Sequence, residues 1–167
     1  MHFPAYSRRV KIQEYLVRQI QTSLDDVVRA ARAVPEDRLD WSAGGLSRSV
    51  LSQMQEIAVS GAFFLPVIRD GSMPELDDHG RRELLRLRQS YDTLEKCVDA
   101  AQAGNAALCA VVMDLPDARL DEEVWLPLGG GMNLTVAEVI GKHSWNLIYH
   151  LGQINQIQLM LGDRTMH

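Results

Sequence analysis

The chain has 167 residues, 46% hydrophobic and 23% charged, the composition of one globular domain over 1–167; a disordered tail, a collagen-like fibre and a disulfide-stapled miniprotein are excluded. Seventeen Lys and Arg against 22 Asp and Glu leave a net charge of −5, which argues against a nucleic-acid partner held by phosphate neutralisation. No apolar run approaches the ~20 residues of a membrane helix, no apolar stretch follows Arg8, Arg9 and Lys11 as in a signal peptide, and Cys97 and Cys109 form neither a zinc knuckle nor a disulfide framework, so no membrane and a reducing cytoplasm are expected.

The first helix is expected from about Arg8 to Ala33. Ile12, Tyr15, Leu16, Ile20, Leu24, Val27, Val28 and Ala31 recur at spacings of three and four, a single apolar stripe. Pro35 ends it near Val34, because the residue before proline is pushed out of helical geometry. A connector over 35–46 follows, with the turn signal Ala43-Gly44-Gly45 and Trp41 packing back over the bundle end. The second helix runs from about Ser49 to Ile68, capped by Ser47 or Ser49, with Val50, Met54, Ile57, Gly61, Phe64 and Ile68 as its stripe. Asp70-Gly71-Ser72-Met73-Pro74 breaks the chain.

A third segment begins near Asp78. Leu84, Leu87, Tyr91, Leu94, Val98 and Ala101 alternate steps of three and four, a heptad seam, which Gly104 and Asn105 interrupt before helix resumes over 106–113. Residues 117–133 are the one long non-helical stretch, with Val124-Trp125-Leu126-Pro127 extended. Gly129-Gly130-Gly131 lacks the Lys-Ser/Thr of a phosphate loop, so no nucleotide cofactor is expected. The last helix opens on the capping box Thr135-Val136-Ala137-Glu138, runs to about Leu161 and stops at Gly162. Long helices with almost no strand predict an all-α four-helix bundle, with Leu147, Ile154 and Ile157 fully buried.

The last helix carries polar residues on its apolar seam. Val136, Ile140, His143, Leu147, His150, Ile154, Ile157 and Leu161 form that seam, and its two histidines lie about 10.5 Å apart along the axis. Asn146 and Gln153 flank it, and Asn146 to His150 is the i,i+4 spacing that lets two side chains share a ligand. Such a cluster either satisfies itself by hydrogen bonds or forms a pocket for a metal or small ligand. The second helix offers Gln53, Gln55 and Glu56 opposite, either as partners or as a solvated face.

The stretch His143-Ser144-Trp145-Asn146-Leu147-Ile148-Tyr149-His150-Leu151-Gly152-Gln153 resembles the last helix of the DinB-like (DinB/YfiT) superfamily, which carries a histidine, three residues, then a histidine, one residue and Gly-Gln. Ser49 to Glu56 is similar to the family's second helix, where a metal-binding histidine follows a serine by seven residues, and Leu39-Asp40-Trp41 resembles the Leu-x-Trp before it. The resemblance implies a bundle with a long crossover and a three-histidine site for a divalent metal, zinc or nickel. It also implies kinship with thiol-dependent transferases. Carried over, the triad falls on Glu56, Asn146 and His150, of which only His150 is the expected residue, with His143 one turn away as a compensating ligand.

Two functions follow. In one, a divalent ion on His150 and Glu56, helped by His143 or Asn146, lowers the pKa of a bound thiol or water. In the other, the bundle is non-catalytic and the same cluster binds a small molecule or fixes helix register. A homodimer is expected in either case.

Overall fold

The computed structural model describes residues 10–73, 77–127, 130–165 and 167. Four long helices make the bundle: α1 (Ile12–Ala33), α2 (Val50–Asp70), α4 (Leu94–Asp114) and α6 (Val136–Met160). Two short ones, α3 (Asp78–Ser90) and α5 (Asp117–Leu120), and a hairpin of β1 (Glu123–Leu126) and β2 (Met132–Thr135) complete it. The Arg8 start expected for α1 lies outside the described residues; the described helix begins at Ile12. Pro35 ends it as expected, and a single 3₁₀ turn, Glu36–Arg38, leads into the connector, from which Trp41 packs on the core.

α1 packs on α4 and α6, and α2 packs on the same two, so α1 and α2 sit diagonally and so do α4 and α6. The connector over 35–49 is therefore the crossover of the bundle. Ile20, Val27, Met54, Ile57, Val98, Leu108, Ile140, Leu147 and Ile154 fill the interior with essentially no exposure, and Ile157 is buried beside them. At ~25 cal/mol per Å² of apolar surface, each such side chain contributes about 1.5–3 kcal/mol. Polar ties register α1: Ser23 Oγ meets Ser144 Oγ at 3.1 Å, and Gln158 Nε2 donates to the Ala30 carbonyl at 2.9 Å.

α2 corrects the expectation about apolar runs. By length and composition it is long and apolar enough to cross a membrane, but more than half of its apolar window is buried against the bundle, the signature of a core helix. The third segment is two helices, not one interrupted at Gly104. The chain turns at Tyr91–Thr93, where the Thr93 hydroxyl caps α4 by accepting from the Lys96 N–H at 3.3 Å. Leu87 faces solvent, and α3 buries no residue fully, so the first half of the heptad seam lies outside the core. Gly104 and Asn105 sit inside an unbroken α4, because each serves packing rather than a turn. A Cβ on Gly61 of α2 would come within 2.7 Å of the Gly104 backbone carbon, so two glycines let these helices touch.

Residues 117–133 also hold more order than expected. α5 follows Pro116, which favours a first helical turn, and Val124 to Leu126 is extended as predicted but paired with β2. Thr135 ends β2 and caps α6 at once; its N–H donates to Glu138 Oε2 at 2.7 Å and its Oγ1 accepts from the Glu138 N–H at 3.2 Å.

Candidate functional site

The site is built on the first two turns of α2. Ser49 caps the helix by accepting from the Ser52 N–H at 3.2 Å. Arg48, just ahead of the cap, folds back along the helix. Its Nη2 donates to the Ser52 carbonyl at 2.6 Å and its Nη1 to Glu56 Oε2 at 2.7 Å. Gln53 and Glu56 are three residues apart and share the face turned to α6. His150 of α6 reaches between them, with Nδ1 3.3 Å from Gln53 Oε1 and Nε2 3.3 Å from Glu56 Oε1. Arg88, in the last turn of α3, donates from Nη2 to Glu56 Oε2 at 3.3 Å.

Glu56 is therefore surrounded by donors. The His150 hydrogen bond, with help from Arg48, holds its carboxyl at about 2, although partial burial works the other way. His150 is 1% exposed and Glu56 32%, so the contact runs from the core to the protein edge. Beyond Glu56 opens a cavity of about 310 Å³ between α2, α3 and α6, lined by Val59, Phe63, Phe64 and Leu84 and by the polar side chains of Ser60, Arg88 and Asn146.

Of the four residues singled out in the sequence, the structure brings Glu56 and His150 into contact and sets Asn146 on the wall of the same cavity. His143 does not join them. Its Nε2 meets Asn105 Oδ1 at 2.7 Å across the diagonal of the bundle, and its ring lies 5.3 Å from that of Phe64. The reason is distance along the helix: His143 shares the inward face of α6 with His150 but lies about 10.5 Å from it along the axis, where Asn105 of α4 meets it. Burial pushes the His143 ring down to about 4. Gln53, whose solvated alternative stood open, is buried. Sequence reasoning missed Arg48 and Arg88. Arg48 pairs over eight residues, beyond the helical neighbour spacings, and Arg88 arrives from another helix.

A metal fits this donor set poorly. His150 Nε2 and Glu56 Oε1 are spaced like two ligands of one ion with bonds of ~2.0–2.2 Å, and Gln53 takes the other ring nitrogen. The third position, however, is an amide. Among the described residues no group of three or more His, Cys, Asp and Glu side chains stands ready for an ion. Two guanidinium groups already neutralise the one carboxylate, and their charge opposes a dication. Metal-site geometry with three strong protein ligands is not met.

No curated protein matches the chain in sequence. Several solved structures share its fold, among them the following three. YfiT from Bacillus subtilis, described as a probable metal-dependent hydrolase with an unusual four-helix bundle topology, has a TM-score of 0.73 at 14% identity, covering 97% of this chain and 94% of its own. A mycothiol-dependent maleylpyruvate isomerase gives 0.64 at 14% identity, over 85% of this chain and 60% of its own. The colibactin self-resistance protein ClbS, solved with double-stranded DNA, gives 0.65 at 14% identity, over 87% and 95%. A bundle of this shape thus accommodates DNA in ClbS, and net charge alone does not exclude a nucleic-acid partner for the fold. The model of the DinB superfamily matches residues 19–154, from the middle of α1 through the Glu56 and His150 turns. With the diagonal α1–α2 crossover and the His-x-Gly-Gln turn of α6 in place, the chain belongs to the DinB superfamily.

Proposed function

We propose that this chain is a metal-independent member of the superfamily that binds a small molecule in the cavity between α2, α3 and α6. The observation that carries this reading is the saturation of Glu56: one oxygen faces His150 and the other two guanidinium groups. Both His150 ring nitrogens face protein oxygens as well, so the ring has no free nitrogen with which to serve a substrate as a general base. The cavity has the apolar wall and the few convergent polar groups of a ligand site. A second reading, a divalent ion that activates the thiol of a cosubstrate, draws support from the 3.3 Å spacing of Nε2 and Oε1. Elemental analysis of untagged protein separates the two. Well under one-tenth of an equivalent of metal is expected for the wild type. Glu56→His with Asn146→His, which restores three histidines, is expected to take up about one equivalent of zinc. One equivalent in the wild type would overturn the metal-independent reading.

Two broader proposals accompany it. Cys97 and Cys109 are both unpaired and buried, which supports action in the reducing cytoplasm. Trp145, Ile148, Tyr149, Leu159 and Met160 are each at least half exposed on one face of α6, which supports a homodimer through that face.

A further inference from the structure

The charges around Glu56 do not balance. Arg48 and Arg88 both lean on the same carboxylate oxygen, so the two guanidinium groups outnumber the one carboxylate between them. The two guanidinium groups are not equally committed. Arg48 is fixed by Ser52 Oγ, the Ser52 carbonyl and Glu56. Arg88 makes one long bond, 3.3 Å, from one Nη, and its remaining N–H groups have no partner among the described residues. On the wall of the same cavity, the Asn146 side chain makes no hydrogen bond among the described residues: its Nδ2 donors are uncommitted, and its buried Oδ1, an acceptor, is unpaired too. Two uncommitted polar groups from different helices thus line a cavity with Val59, Phe63, Phe64 and Leu84; Ser60 lines it as well, but its hydroxyl is spent on the Ile57 carbonyl. Glu56 also lines this cavity, but both of its oxygens are already engaged.

We infer that the cavity takes a small apolar monoanion, its carboxylate accepting from the Arg88 guanidinium and from the Asn146 Nδ2–H groups and its hydrocarbon laid against Phe63, Phe64, Val59 and Leu84. This rests on the reading of the cavity as a small-molecule site and names the class of molecule. A carboxylate there balances the surplus charge and gives Arg88 the charge-assisted partner that a shared oxygen supplies only in part. A volume of about 310 Å³ sits at the lower end of the ~300–1,000 Å³ of ligand pockets, which favours a ligand of octanoate size over a nucleotide. The net charge of −5 gives the chain no general attraction for anions, and because α3 also carries Arg81, Arg82 and Arg86, the Arg88 variants below assign any preference to this site.

The experiment titrates octanoate and its neutral counterpart octanol into the full chain at pH 7, by calorimetry and by amide chemical-shift mapping. Octanoate is expected to bind at least tenfold more tightly than octanol, with shifts centred on Val59, Phe63, Leu84 and Asn146. Arg88→Gln is expected to bring octanoate down to the octanol level while octanol binding stays unchanged. Arg88→Lys is expected to keep part of the preference. Equal binding of the two probes, or a preference that survives Arg88→Gln, would overturn the inference and leave the small-molecule reading standing. Failure of both probes to shift the cavity residues would overturn the inference and the cavity reading together. A full equivalent of metal in the untagged protein would overturn the metal-independent reading on separate grounds.

Discussion

Glu56 and His143 respond to acid in different windows, and their environments say why. A carboxyl held at about 2 by His150 and Arg48 contributes stability that is complete above its ordinary value of 4.5 and is lost as the pH falls toward 2. Because Glu56 is about one-third exposed, solvent screening limits that contribution to about 1 kcal/mol. A histidine held at about 4 by burial takes up its proton more readily in the unfolded chain. Its contribution is therefore complete above 6.5 and lost as the pH falls toward 4. A displacement of that size corresponds to roughly 3 kcal/mol. Urea melts of Glu56→Gln should show a flatter decline below pH 4.5. Melts of His143→Gln, which keeps an amide for Asn105, should show a flatter decline between pH 6.5 and 4. An unchanged slope in either variant would mean that the named side chain is not the one being titrated.

At the scale of elements, the α2–α4 crossing governs where Glu56 stands. Gly61 lies five residues after Glu56 on the same helix, and its contact with Gly104 sets how closely α2 approaches α4. Gly61→Ala forces a methyl into backbone, not into a side chain that moves aside. Overpacking of this kind costs about 1–3 kcal/mol, so thermal melting should fall by roughly 5 °C or more despite the better helix propensity of alanine. Gly104→Ala meets its nearest neighbour at 3.4 Å and should cost less. Equal melting temperatures for the two variants would contradict the close crossing. α3 is the opposite case. With no fully buried residue, it is held by Leu84, by the Arg88 ion pair and by Gln55 Nε2 donating to the Tyr91 carbonyl at its end. It covers the cavity without anchoring in the core.

For the whole molecule, the exposed face of α6 is the feature that the single chain leaves unexplained. Trp145 stacks on Tyr149 at 5.4 Å, and Ile148, Leu159 and Met160 continue the stripe on the same side of the helix. A two-fold axis across it would pair the stripe with itself, the self-complementary contact of cyclic dimers. Light scattering at micromolar concentration should give twice the 18.7 kDa of one chain, and Ile148→Asp with Leu159→Asp should return it to 18.7 kDa. A wild-type mass of one chain would overturn the dimer. The cavity lies on the flank of α6 that carries Asn146, beside this face and not beneath it, so ligand binding and dimerisation should be separable by these variants.

The helical periodicity of Ile20 to Ala31, of Val50 to Ile68 and of Val136 to Ile157, with the Pro35 stop and the Thr135–Glu138 cap, determines the bundle from the chain alone, because hydrophobic spacing and capping are local. The same locality places His150 on an inward face and makes the His-x-Gly-Gln turn recognisable. Three features were left to the tertiary structure. Gly104 and Asn105 look like a helix break until Gly61 and His143 are brought against them. Leu84 and Leu87 extend a heptad that the turn at Tyr91 carries off the core. Glu56 stands where the family carries a histidine, and only the arrival of Arg88 from α3 and the fold-back of Arg48 give it two guanidinium partners instead of a metal-ready environment. Those contacts join residues 8 and 32 positions apart, and no periodicity of a single helix encodes a charge delivered by another.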